Sequence, residues 1–324
     1  MDPHRTCWLI GLLTLVLAAG SAASQPAKPA KPKKPVDTFT DPAEAGPDFR
    51  IQGEYEGEAA GAGKLAAQVV ARGDGKFDVY FLAGGLPGAG WDAKTRIKAS
   101  AVTADGRTTV TGGGWSGTIA DGRLTGTTPA GNAFALKQVV RRSPTLGVKP
   151  PAGAVVLFDG TSTDAWQGGT LVEGNLLNCG TRSKQAFGAG KYHVEFRTPF
   201  KPKASGQARG NSGVYLLGHE IQVLDSFGLT GEKNECGAFY GSARPAVNMC
   251  FPPLSWQTYD IEAHPGADGT MLVTVWHNGV KIHEDFPIKN AKPAPITLQN
   301  HGNPVVYRNI WFVPAGAKEQ PAGN

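Results

Sequence analysis

From Phe49 onward the chain is a series of short runs in which apolar and polar residues alternate, each broken after a few residues by a turn rich in glycine. A period of two puts successive side chains on opposite faces of a strand. Asp-Gly or Asn-Gly between two such runs favours a tight hairpin, because both residues tolerate positive φ. With 44 glycines and 24 prolines as punctuation, and no long stretch of helical periodicity, the sequence reads as all-β.

The runs fall into two groups. RIQGEYEG, KLAAQVVA, KFDVYFLAG, RTTVTG and GTIADGRLTG, turning at Gly73-Asp74-Gly75, Asp105-Gly106 and Asp121-Gly122, predict a small antiparallel β domain over 48–142. Its Trp91 and Trp115 fit a core or lid as well as a sugar-stacking surface, so this domain receives no function. Three prolines and two glycines over 143–153 make a linker. Longer runs then occupy 154–314: AVVLFDG, KYHVEFRTPF, SGVYLLG, HEIQVLD, WQTYDIEAH, MLVTVWHNGVKIHEDF, PITLQNHG and VYRNIWFV. In the second of these, Tyr192, Val194 and Phe196 share one face, and His193, Glu195 and Arg197 share the other. Strands with one apolar and one polar face pack as two sheets, so a β-sandwich of jelly-roll type is expected. His277-Asn278-Gly279-Val280 marks a tight hairpin, and 315–324 a flexible tail.

Residues 1–24 carry Arg5, an apolar run and then small residues, the pattern of a secretory signal cleaved near Ala23-Ser24. The run is shorter than the ~20 residues that a bilayer requires, so a secreted or periplasmic protein without stable membrane insertion is expected. Cys7 precedes the apolar run, which argues against a lipid-modified cysteine at the cleavage point. The formal charge is +5, but Lys28, Lys31, Lys33 and Lys34 in the linker 25–47 account for four charges and leave +1 elsewhere. No Lys/Arg stripe of the kind that tracks a phosphate backbone is present, which disfavours nucleic acid as a partner. Export would permit a Cys236–Cys250 bridge and leave Cys179 unpaired. No CxxC spacing supports zinc.

The polar faces collect Glu195, Arg197, Arg209, Asn211, Ser212, Glu220, Gln222 and Asp225. Arginine, amide and acid interleaved are the donors and acceptors that hold sugar hydroxyls, and they are expected to converge on one concave surface. Trp166, in TDAWQGG, is the aromatic placed to contact a sugar at its edge, whereas Trp256, Trp276 and Trp311 read as core.

LFDGTSTDAW, YHVEFR, RGNSGVYL, EIQVLDSFG, ECGAFYG, PPLSWQTYDIE, TVWHNGVKIHE and ITLQNHGNPVVYRNIW, in that order, resemble the 3-keto-disaccharide hydrolase family over about half of the chain. The resemblance implies a concanavalin A-like jelly roll acting on glucosides oxidised at C3, by lyase and hydratase steps that amount to hydrolysis. HEIQVLD also resembles the catalytic strand of laminarinase-type glucanases, with Gln222 where those have Asp and Asp225 where they have Glu. Retaining hydrolysis needs carboxyl groups about 5–5.5 Å apart. Five strand residues span about 16 Å and turn Glu220 and Asp225 to opposite faces, which weakens that alternative.

A 3-keto sugar needs a base at C2–H, donors or a cation at the C3 oxygen, and an acid at the glycosidic oxygen. In this reading Glu220 is the general base or acid, Asp225 the second acid/base or a metal ligand, and His301 a proton carrier. Arg209 and Asn211 steady the enolate, while Gln222, Ser212, Glu195, Arg197 and Trp166 bind substrate. Glu195, Glu220, Asp225 and His301 could together hold a divalent metal ion. Two other readings use the same residues: a non-catalytic carbohydrate-binding module, which needs the groove but no base, and an envelope scaffold, which needs neither.

Overall fold

In the computed structural model, which describes residues 37–317, the alternating runs become twenty-one strands with little helix between them. The expected signal segment, most of the Lys/Pro stretch and the last seven residues lie outside the described residues. None of the described helices is long and apolar enough to cross a membrane.

The first eight strands are β1 (Gly53–Ala59), β2 (Gly63–Gly73), β3 (Lys76–Ala83), β4 (Arg96–Ala104), β5 (Arg107–Gly112), β6 (Trp115–Ala120), β7 (Arg123–Thr127) and β8 (Ala133–Val139). They pair in chain order, and β1 also pairs with β8, so the expected meander closes into an antiparallel barrel. The Asp-Gly turns form as expected, with positive φ at Asp74-Gly75, Asp105-Gly106 and Asp121-Gly122. Alternation sends Leu65, Ala67, Val69 and Ala71 of β2 into the barrel core, while Val70 and Tyr80 on the outer face join the core of the second half. That double burial explains why β2 is buried from Leu65 to Ala71 without a break.

The second half contains β9 (Val155–Phe158), β10 (Trp166–Gln167), β11 (Leu171–Val172), β12 (Leu176–Asn178), β13 (Thr181–Phe187), β14 (Gly190–Arg197), β15 (Ser212–Leu216) and β16 (His219–Val223). It continues with β17 (Gln257–Pro265), β18 (Met271–His277), β19 (Val280–Ile288), β20 (Ala294–Leu298) and β21 (Val306–Pro314). They form a five-stranded sheet, β10-β13-β20-β15-β16, and an eight-stranded one, β11-β12-β21-β14-β17-β18-β19 with β9 beside β21. All pairings are antiparallel, and Val214, Ile221, Val223, Ile296 and Leu298 of the first sheet share one core with Tyr192, Val194, Phe196, Tyr259, Ile261 and Tyr307 of the second, a β-sandwich arrangement. Asn278 and Gly279 both have positive φ and close the β18–β19 hairpin.

Candidate active site

β15 and β16 form a hairpin whose register sets Tyr215 opposite Glu220 and Gly213 opposite Gln222. Their odd and even positions divide cleanly: Val214, Ile221 and Val223 enter the core, while Gly213, Tyr215, Glu220 and Gln222 share the outer face. The Tyr215 hydroxyl donates to Glu220 Oε2 at 2.8 Å and accepts from Gln299 Nε2 at 3.2 Å. Gly213 makes room for this arrangement, since a Cβ there would meet the Glu220 carboxylate oxygen well inside contact distance and its Cγ and Cδ at 2.9 Å. The carboxylate therefore lies flat on the sheet.

The electrostatics follow from that position. Burial raises the Glu220 pKa, opposed by the Tyr215 hydrogen bond and by the charge of His301. Burial and the neighbouring carboxylate push Tyr215 up to about 12, so it remains a donor at neutral pH. Tyr215 also walls a cavity of about 600 Å³ with Gln167, Arg182, Thr297, Gln299 and Asn300. A protonated phenol and a guanidinium in the wall of a groove of amides and hydroxyls, with a half-buried carboxylate hydrogen-bonded to that phenol, can move a proton and steady a developing oxyanion.

Below Glu220 on the same strand, Gln222 Nε2 and Asn211 Nδ2 both donate to Gln207 Oε1, at 2.9 and 2.7 Å. The side-chain amide oxygens of Gln222 and Asn211 are buried without a partner among the described residues. The outer edge of β16 is covered by residues 237–240, which exchange backbone bonds with Gln222 and Glu220.

The remaining expected site residues go elsewhere. Asp225 is 2% exposed and receives Arg209 Nε at 2.7 Å, while Arg209 Nη1 donates to Ala71 O of the barrel and to Pro202 O. Ser212 turns inward and bridges Gln299 O and Tyr307 Oη. Trp166 is buried, with its indole N–H on Leu157 O, so it is not an edge contact. Glu195 and Arg197 lie on the other sheet. There Arg197 pairs with Glu173, and Arg197 and Arg308 both sit over the Trp256 ring.

Glu195 anchors a separate network. Gly147 N–H, Arg308 Nε and Asn309 Nδ2 donate to it at 2.6, 2.7 and 2.9 Å, and His193 bridges it to Asp260. Burial alone would raise its pKa, but bonds from His193, Asn309, Gly147 and Arg308 hold it at about 2. Burial disfavours charge on His193 too, yet Asp260 and Glu195 raise its pKa. Thr145 and Ser143 bond Asp260 and Thr258, so the linker is fastened to this sheet face.

Glu195, Glu220, Asp225 and His301 thus do not fit a shared metal: Glu195 is saturated on the other sheet and Asp225 is spent on Arg209. Among the described residues no three His, Cys, Asp or Glu side chains are grouped to hold one. Cys179, Cys236 and Cys250 are free thiols, so the permitted bridge is not formed, and Cys236 Sγ lies 3.3 Å from Tyr259 Oη.

Sequence reasoning missed Tyr215, Gln299, Thr297, Arg182 and Gln167. Tyr215 was accessible from hairpin counting, because a turn at Leu217-Gly218 pairs it with Glu220. Thr297 and Gln299 follow from the period of two in PITLQNHG. Arg182 and Gln167 lie on β13 and β10, short or weakly patterned runs with no such signal.

Comparison with known proteins agrees with the second half of the chain. Two solved structures from Parabacteroides distasonis ATCC 8503, each described as a candidate glycosyl hydrolase, are similar to it. One is 30% identical, covering 51% of this chain and 85% of that one with a TM-score of 0.46. The other is 18% identical, covering 50% and 93% with a TM-score of 0.37. No curated protein matches. Residues 153–313 match the 3-keto-alpha-glucoside-1,2-lyase-like domain, and through that segment the chain belongs to this family.

Proposed function

We propose that this chain is an exported enzyme that cleaves 3-keto-glucosides or 3-keto-disaccharides by β-elimination and hydration, on a concanavalin A-like jelly roll. The observation that carries the reading is Glu220, laid over Gly213, raised in proton affinity by burial and hydrogen-bonded to a tyrosine in the wall of a 600 Å³ groove. Glu220 takes the proton from C2, made acidic by the C3 ketone, and the electron pair moves into a C2–C3 enolate. Collapse of the enolate restores the ketone, forms the C1–C2 double bond and expels the C1 oxygen, which leaves protonated. Tyr215 is the donor for the C3 oxygen or the leaving oxygen, and Arg182 offsets the enolate charge. Addition of water, hydroxyl to C1 and proton to C2, completes net hydrolysis.

The test is incubation of the purified chain with 3-keto-trehalose and a 3-keto aryl glucoside, following glycal absorbance and released product. Glu220→Gln is expected to lower turnover by at least roughly 10²-fold while retaining substrate affinity. The amides and hydroxyls along the groove would equally suit a non-catalytic carbohydrate-binding module. Binding of several 3-keto glucosides without product release would establish that module and overturn the enzyme reading.

A further inference from the structure

The barrel shares no residue with the groove, and its interior has its own chemistry. An eight-stranded barrel is just wide enough either to be filled by its side chains or to hold one small ligand, and the size of the inward residues decides which. One end of this barrel is filled: Phe200 and Leu254 belong to its core, and Phe200 packs at a tilt against Phe39 and Phe49 at centroid distances of 5.9 and 5.4 Å. Toward the other end the inward positions shrink to Ala59 and Ala83 beside Leu65 and Ile97, leaving a cavity of about 300 Å³. Its mouth is framed by the turns at Ala62-Gly63 and Thr128–Asn132 and by Thr95.

The aromatic wall of this cavity is Phe81 and Trp115, stacked at 4.0 Å and 15°. Phe134 stands edge-on to Phe81 at 5.4 Å, and its ring lies against Gly117 and Gly126. Trp115 is 7% exposed, and its indole N–H is buried without an acceptor among the described residues. A donor stripped of water with nothing to bond costs free energy. The single charged residue of the lining, Lys64, alternates with inward Leu65 and is exposed on the outside.

We infer that the barrel is a binding site for a small neutral molecule with a flat apolar ring system and one hydrogen-bond acceptor. Stacked rings receive the flat face, Trp115 N–H supplies the polar contact, and the interior beyond Lys64, which carries no charged side chain, rejects an ion that would lose its water unpaired there. A sugar ring, with hydroxyls all round, is not the match, so this site is independent of the 3-keto-glucoside reading.

The test is calorimetric titration of the whole protein with 2-naphthol, naphthalene and 2-naphthoate, with the indole N–H resonance of Trp115 followed by NMR and assigned by its loss in Trp115→Phe. 2-Naphthol should bind one to one with Kd of roughly 10–500 µM, and naphthalene several-fold more weakly. 2-Naphthoate should not bind detectably. The Trp115 resonance should shift with 2-naphthol and lose that shift with naphthalene. Ala83→Leu fills the mouth and should weaken 2-naphthol roughly tenfold or more; Ala59→Leu serves if Ala83→Leu does not fold. No saturable binding of 2-naphthol, naphthol affinity unchanged in the filled variant, or naphthoate binding as tightly as naphthol would each overturn the inference.

Discussion

Gly213→Ala isolates the placement of Glu220 from its chemistry. Gly213 has no positive φ, so alanine suits its backbone, and the three atoms nearest the added Cβ all belong to Glu220. The Cβ would stand 2.9 Å from Glu220 Cγ and Cδ and closer still to a carboxylate oxygen. A flexible side chain yields under such contact, so the carboxylate should lift from the sheet by roughly 1 Å, stretching the 2.8 Å bond from Tyr215 beyond hydrogen-bond length. Misplacement on that scale costs about 10² in rate, equivalent to about 2.7 kcal/mol of barrier. Stability should change by less than about 1 kcal/mol, because the loss of unfolded-state freedom offsets the local shift. The assay is turnover on a 3-keto aryl glucoside beside a urea unfolding curve. Turnover within about twofold of the parent, with the fold intact, would refute the idea that Glu220 must lie on Gly213 to work.

Tyr215→Phe removes the bond that lowers the Glu220 pKa, so the acidic limb of the kcat/KM profile should move to higher pH and kcat should drop by about 10 to 10²-fold; an unmoved limb would count against the pair. The Glu195 network should shape stability against pH. Glu195 is depressed to about 2 from 4.5, so its contribution is complete above pH 4.5 and fades as pH falls toward 2. His193 is raised from 6.5, so its share is complete below 6.5 and fades as pH climbs through the raised value. Thermal unfolding should therefore show this network's largest contribution between pH 4.5 and 6.5. Glu195→Gln should flatten that profile and cost about 3 kcal/mol, and an unaltered profile would show that the network carries no net stability.

What was legible was local. The period of two separated Tyr192, Val194 and Phe196 from His193, Glu195 and Arg197, and the Asp-Gly and Asn-Gly pairs marked turns that form with positive φ. Closure of the barrel was not legible, because the β1–β8 pairing joins residues some eighty positions apart and no local signal fixes that register. The site divided in the same way. Glu220 and Gln222 share a face by alternation, but β16 ends at Val223, and beyond it the chain turns so that Asp225 N–H bonds Arg209 O. Proximity to Glu220 in sequence therefore carried no information about where Asp225 points. Glu195 was misleading for a different reason: the linker covers the sheet face it occupies, so a residue that alternation marks as outward is fully buried.

The Arg209–Asp225 pair shows how the barrel bears on the groove without lining it. A buried ion pair loses more hydration than its own attraction returns unless other bonds satisfy its remaining atoms. Here Ala71 O on β2 and Pro202 O accept from Arg209 Nη1 and Phe227 N–H donates to the carboxylate, while Arg209 Nη2 is buried without a partner among the described residues. Three residues further, Gly228 O accepts from Arg96 of β4, whose guanidinium lies 3.6 Å from the centre of the Tyr80 ring. The chain from Asp225 to Gly228 is thus held against the barrel wall just before it loops back to lay residues 237–240 along the free edge of β16. The covered edge is the strand that carries Glu220. Remove the barrel, and the charged pair would lose a partner while Val70 and Tyr80 left the shared core. The two β bodies are therefore coupled through packing, and the placement of the strand that carries Glu220 depends on both.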